Sequence, residues 1–452
     1  MLKIYSAKWV IPISSQLIED GAVAIEEGRI IGVGTRALIK ARFTGAEEMR
    51  IDGEAAIMPG LVNGHTHLEL TAMRGFLERE EGDFFAWLRK LTLARLERMT
   101  IEDLYVSAAC GAVEALRAGI TCVGDASDAA RASVTAVRDA GLRGTVYQES
   151  FGPDPTVAQE NFAKLCERVA NLHEFASALV RIGVSPHAPY SVSAPQLELI
   201  ADYALEKNLP LMMHAAESRA ESLFVREGRG PFAESYARRG LAWRAHGISP
   251  IQYLARCGVL RTRPLLSHCV AVDDEDLQTL HEWDARIAHC PKSNAKFGHG
   301  RAPLRAFMKR GIIVGLGSDS VASNNTCDML EEARFAVLLA RVGKEESDLA
   351  EMLGAEDALR LATEGGARAL GLENEIGALA EGMQGDLIAV KLDGAHQIPV
   401  YDPVAALVFS SSARDVVLTL VAGREVYRDG RVTTLDEDYL RALAEEIKRK
   451  LS

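Results

Sequence analysis

Between residues 60 and 370, eight short apolar runs recur, separated by longer amphipathic stretches. The runs are GLVNGHTH, GITCVGD, LRGTVYQE, LVRIGVSPHA, LPLMMHAAE, PLLSHC, ARIAHCP and IIVGLGSD. Segments such as TVAQENFAKLCERVANLHEF and DLQTLHEWDA lie between them and have helical character. Short apolar runs bounded by turn residues read as buried strands, and parallel strands need crossover connections, usually helices. Eight such units are what a (β/α)8 barrel requires, although an open doubly wound sheet gives a similar pattern.

The flanks have a different texture. Residues 1–57 read as strands without helical periodicity, in LKIYSAKWVIP, AVAIEEGRIIGVG and the start of EAAIMPG. After residue 372, IGALAEGMQGDLIAV, PVAALVFS and VVLTLVAGREVYRDGRV read as strands, and DEDYLRALAEEIKRK as a closing amphipathic helix. The expected organisation is an α/β chain with a distorted (β/α)8 barrel over residues 58–372. A small β-sandwich would be assembled from residues 1–57 and 373–452.

Composition narrows the function. With 51 basic and 63 acidic residues the net charge is −12, which argues against nucleic acid or an anionic membrane as partner. The seven cysteines are odd in number and show no C-x-x-C spacing, so reduced thiols in a cytoplasmic protein are expected. The start of the chain lacks a signal-peptide pattern, and no stretch of 18 apolar residues exists.

Six of the 11 histidines stand at or just past run ends: His65, His67, His187, His214, His268 and His289. Asp319 ends another run. In a barrel these positions converge on the mouth where active sites are built. Residues two apart on a strand point the same way, so His65 and His67 can share one ion. His214 would be a third imidazole. His268 would be a fourth ligand, a group orienting water, or a packed core histidine. Asp319 supplies a carboxylate. Three imidazoles and one carboxylate suit zinc, or Fe(II), with a position left for water. Such an ion lowers the water pKa from 15.7 toward about 7. Glu217, three residues beyond His214, is placed to move that water's proton. The chain shows no G-x-S-x-G elbow, no P-loop and no complete G-x-G-x-x-G fingerprint.

The motifs PGLVNGHTHLEL, HAAE, SHC, HCPKSN and GSDSVASNNTCDMLEEAR resemble the metal-dependent deaminase and chlorohydrolase branch of the amidohydrolase superfamily. The terminal segments IGALAEGMQGDL and VLTLVAGREVYRDG resemble it too. The resemblance implies one divalent metal held by His65, His67, His214 and Asp319. It implies that metal-bound hydroxide attacks, that Asp319 takes the proton of the attacking water, that Glu217 shuttles a proton to the substrate and that His268 orients the water. Binuclear relatives carry a lysine at the end of the fourth strand; here that strand ends in SPHAPYS.

The resemblance extends to substrate contacts. His187 matches a position that contacts the heterocycle, with a packing role as the alternative. Arg74 and Trp87 match the segment that covers the mouth, where Phe84, Phe85 and Trp87 can stack on a base or exclude water, with an ordinary helix-face cluster as the alternative. Glu69, Glu149 and Ser320 are further candidates for substrate binding, with a structural role for Glu69 equally open. HTHLEL, GDFFAWL and the QES segment resemble aminodeoxyfutalosine deaminases of the menaquinone route. No arginine pair aligns with the carboxylate clamp of S-adenosylhomocysteine deaminases. The expected activity is hydrolytic deamination of a 6-aminopurine nucleoside, aminodeoxyfutalosine first. Adenosine, methylthioadenosine, S-adenosylhomocysteine, guanine and triazine substrates are the alternatives, and a non-catalytic metal-binding barrel is a different class. The partner expected is a small molecule, and family analogy suggests a homo-oligomer.

Overall fold

The computed structural model describes residues 2–342 and 352–452. Eight parallel strands follow one another in chain order: Leu61–Thr66, Ile120–Ser127, Arg143–Ser150, Val180–Pro186, Met212–Ala215, Leu265–His268, Arg286–His289 and Ile313–Leu316. They coincide with the eight apolar runs. Hydrogen bonding divides them into two quartets, the first four strands and the last four. A bridge between Val184 and Leu211 joins the quartets on one side. On the other side the Asp319 N–H donates to the His65 carbonyl at 2.9 Å. The closed but interrupted ring is the distorted barrel.

The N-terminal ends of the strands are plugged. Val62, Cys122, Met212 and Leu265 pack with Leu370 and Ile376 from the segment that follows the barrel. The seam is tight enough to require glycine. A Cβ on Gly315 would lie 2.6 Å from the Gly366 Cα, and a Cβ on Gly366 would lie 2.7 Å from the Val62 Cβ. With this end sealed, the cavity described below opens at the C-terminal ends.

The flanking strands form one nine-stranded hydrogen-bonded sheet rather than two separate sheets. Within it Leu387–Lys391 pairs antiparallel with Ala55–Pro59, so both ends of the chain contribute to one unit. Two flank readings are corrected. Arg36–Arg42 is a helix, hidden from periodicity because only Ile39 is buried along it. Pro403–Phe409 is also a helix: Asp402 caps it by accepting from Val404 N and Ala405 N, and Pro403 opens its first turn. All seven cysteines are unpaired. No helix among the described residues is long and apolar enough to cross a membrane.

One buried ion pair fastens the sheet to the barrel. Arg143 donates from Nε and Nη2 to the two carboxylate oxygens of Asp386 at 3.0 and 2.9 Å, and Ala422 N donates to the same carboxylate at 2.8 Å. Both side chains are almost wholly buried. Replacing Arg143 with leucine would leave Asp386 as an unpaired interior charge. The expected loss is roughly 3–5 kcal/mol, read as a lower urea midpoint. A loss under about 1 kcal/mol would contradict this account.

Candidate active site

The strand ends bring the predicted histidines together. Ligand atoms of His65, His214, His268 and Asp319 all lie within 4.8 Å of one another. His67 completes the set: its Nε2 is 3.2 Å from His214 Nε2 and 3.6 Å from Asp319 Oδ1. All five are buried. The backbone is bent to aim them, with left-handed φ at Ala216 (50°), His268 (74°), Cys269 (47°) and Asp319 (56°). Such conformations cost about 1–3 kcal/mol each in non-glycine residues and cluster at functional sites.

Supporting contacts fix each ring. His214 Nδ1 is 3.0 Å from the His187 carbonyl, so it donates there and Nε2 keeps its lone pair for the site. His268 Nδ1 is 2.9 Å from Asn294 Oδ1, which leaves His268 Nε2 free in the same way. Asp319 Oδ2 accepts from Ser293 Oγ and Ser323 Oγ, each at 2.7 Å, and Oδ1 accepts from Ser320 N. Asn63 locks the first strand to the last, accepting from Ser318 N at 2.9 Å and donating to Ser318 Oγ at 2.7 Å. Asp125 accepts from Leu68 N at 2.7 Å and so holds the turn after His67; burial pushes its carboxyl up to about 8.

Burial pushes the His65 and His67 imidazoles below their ordinary range and takes His214 to about 4. They are neutral at pH 7, the form that binds metal. Burial alone would raise the Asp319 carboxyl, but His65, His268 and His67 hold it well below its usual range. The donor set fits a divalent ion. His65 Nε2 and His268 Nε2 are buried without a hydrogen-bond partner. Metal–nitrogen bonds of about 2.0–2.1 Å in a tetrahedron separate ligand atoms by about 3.3 Å, close to the His67–His214 spacing.

Above the cluster opens a cavity of about 520 Å3. Glu217, His268, His67, His214 and Asp319 line its floor, and Phe84, Phe85, Trp87, Leu88, Phe151 and Phe232 contribute to its walls. The helix Phe84–Arg98 carries the first four of these wall residues and is capped by Asp83, which accepts from Phe85 N and Ala86 N. Burial opposes ionisation of Glu217, yet His268 and His299 hold its carboxyl below the ordinary value.

The remaining candidates divide. Trp87, His187, Glu149 and Ser320 line the cavity. His187 is held by Ser191 Oγ at 2.8 Å. Glu149 has a buried Oε1 without a partner, and burial, with Glu69 and Asp128 nearby, raises its carboxyl well above the usual range. Ser320 Oγ is occupied in capping the short helix that follows, accepting from Ser323 N at 3.2 Å. Glu69 lines the cavity but spends its oxygens on Arg95, Ser127 and the N–H groups of Asp128 and Ala129. Arg74 does not line the cavity. Its guanidinium pairs with Glu114 and the Asn325 carbonyl, which corrects its assignment to substrate. His289, although at a strand end, also lies off the cavity wall. The run-end rule missed Asn294, Arg95 and His299. None of the three ends a strand; Asn294 alone carried a visible signal, inside HCPKSN.

Residues 56–426 match the model of the Amidohydrolase family, and the chain belongs to that family. It is a hydrolase acting on carbon–nitrogen bonds. Among its relatives is a 5-methylthioadenosine/S-adenosylhomocysteine deaminase of Nitratidesulfovibrio vulgaris, 34% identical over 425 residues, covering 94% of this chain and 91% of that protein. A 5'-deoxyadenosine deaminase of Methanopyrus kandleri is 31% identical over 438 residues, covering 97% and 96%. A crystal structure of an adenosine deaminase from Xanthomonas campestris with bound zinc superposes with a TM-score of 0.86 at 28% identity, covering 99% of this chain and 98% of that one.

Proposed function

We propose that this chain deaminates 6-aminopurine nucleosides bearing a 5′ substituent. One divalent ion would be held by His65, His67, His214 and Asp319. The observation that carries this reading is the aromatic-walled cavity of about 520 Å3 standing directly on the histidine cluster, with Glu217 at its floor. The names of the relatives support a purine nucleoside, and the zinc-bound neighbour supports zinc. Fe(II) suits the same donors, and metal analysis of the purified protein separates the two. One ion is proposed because the second histidine–carboxylate group among the described residues, Glu149, His187 and His214, shares His214 with the first.

When bound, the ion acts as a Lewis acid that makes hydroxide available from water at neutral pH. Glu217, ionised at rest, accepts a proton from the incoming water and delivers it to the ring nitrogen beside the amino-bearing carbon. His268 is kept in one tautomer by Asn294 and offers Nε2 to that water. Asp319 is pinned by three donors as a carboxylate, placed to accept the second proton of the attacking water. Asp319 then takes the proton of the hydroxyl now on the ring carbon and returns it to the amino group, whose bond to that carbon breaks as ammonia leaves and a ring carbonyl remains. Phe84 and Trp87 shield the reacting carbon from bulk water.

Within this class we place aminodeoxyfutalosine first. The apolar walls suit its aromatic tail. Arg89 and Arg239 also line the cavity, make no side-chain hydrogen bond to a described residue, and suit a carboxylate, which aminodeoxyfutalosine and S-adenosylhomocysteine both carry. The identities with the methylthioadenosine/S-adenosylhomocysteine deaminase favour a second reading, in which those thioether nucleosides are the substrates. Ultraviolet spectroscopy of the metal-loaded protein with aminodeoxyfutalosine, adenosine, methylthioadenosine and S-adenosylhomocysteine tests both. The adenine-to-hypoxanthine change is expected at least about tenfold faster with aminodeoxyfutalosine, a difference of about 1.4 kcal/mol. Faster turnover of a thioether nucleoside establishes the second reading. No turnover of any of the four, with metal bound, overturns the 6-aminopurine class.

A further inference from the structure

We propose that His299 is a positioning residue for Glu217, linking the proton-carrying carboxyl to the aromatic helix that walls the cavity. This rests on Glu217 being the proton shuttle. His299 follows the helix Pro291–Lys296, and its N–H donates to the Asn294 carbonyl at 2.9 Å. The imidazole stacks on Phe297 with centroids 5.3 Å apart and meets Phe84 edge-on at 4.7 Å. Its Nε2 is buried, has no hydrogen-bond partner, and lies 3.6 Å from Glu217 Oε1. His268 Nε2 approaches the same oxygen at 3.9 Å.

Glu217 Oε1 therefore stands between two imidazoles, and Asn294 supports both: its side chain touches His268 and its carbonyl holds His299. The backbone of Glu217 is fixed by a bond from its N–H to Glu221 Oε2 at 2.9 Å. No other described side chain donates a hydrogen bond to its carboxyl. A closure of a few tenths of an ångström turns the His299 approach into a hydrogen bond, as catalytic contacts tighten when substrate binds. Because the same ring packs on Phe84, seating of the helix Phe84–Arg98 over a substrate and the aim of Glu217 are mechanically joined. The aromatic link comes from Phe84, Phe297 and His299.

The test separates the ring from its N–H. His299→Phe keeps the stack and removes the donor. His299→Gln restores a donor without the ring. In His299→Phe, kcat for the best nucleoside substrate is expected to fall about tenfold to thirtyfold. KM should stay within about threefold, with metal content and melting temperature unchanged. His299→Gln should recover part of the loss. A His299→Phe protein with wild-type kcat, or one whose loss lies wholly in KM or metal content, overturns the proposal. A second measurement needs no turnover. In ring-15N-labelled metal-loaded protein, Glu217→Gln is expected to move the His299 Nε2 resonance by several ppm, while Glu206→Gln leaves it in place. An unmoved resonance also overturns the proposal. Failure of the wild type on every nucleoside would instead count against the function proposed above, and the resonance experiment would still decide the role of His299.

Discussion

His214→Ala should purify without its metal and with turnover reduced by more than about a thousandfold. The expectation follows from how the site is spaced. His214 Nε2 is 3.2 Å from His67 Nε2, and its ring is fixed by the His187 carbonyl. Deleting it removes one donor and leaves His67 without the neighbour that defines the pocket for the ion. The expected loss is of binding, so added zinc should restore little at stoichiometric concentration. His281→Ala is the control, since His281 is exposed on an outer helix; it should retain both metal and activity. Elemental analysis and ammonia release on the same samples make the comparison. A His214→Ala protein that holds one equivalent of metal and turns over normally would remove His214 from the ligand set.

Glu217→Gln should behave differently. The amide is nearly isosteric, and the Glu217 backbone remains tied to Glu221, so the fold and the metal should survive. Turnover should fall by about 10²–10⁴-fold, the range for a positioned general acid or base. KM should change little, because the loss falls on the transition state rather than on binding. The contrast between the two variants is the informative result: one loses the ion, the other keeps it and loses the proton transfer. Normal turnover by Glu217→Gln would show that the proton travels by another route.

Much of this arrangement could be read from the sequence, because strand ends in a closed barrel converge on one mouth. His65, His67, His214 and His268 are where that rule puts them, whereas His289 also ends a run and lies off the cavity wall. Local spacing had no hold on residues that reach the site from elsewhere. His299 arrives from a loop beyond a helix, and Arg95 from the last turn of the helix that walls the cavity. Nothing in their immediate neighbours marks either one. Arg74 shows the converse failure: it sits in a segment that resembles a lid, but Glu114 is close enough to claim its charge. The pairing of the two flanks was visible as texture. The helix Pro403–Phe409 was not, since six apolar residues after a proline read equally as strand until Asp402 is seen to cap them.

The sheet shared by both chain ends has a consequence for synthesis on the ribosome. Ala55–Pro59 leads directly into the strand that carries His65 and His67, yet its partner Leu387–Lys391 is more than 300 residues downstream. At about 5–20 residues per second, the early strand waits on the order of 15 s to a minute for that partner to be made. During that interval its edge is a row of unpaired backbone groups, the kind of surface that recruits other strands. Nascent chains stalled before residue 387 should therefore be aggregation-prone, and chaperone dependence should fall once Leu387–Lys391 has left the exit tunnel.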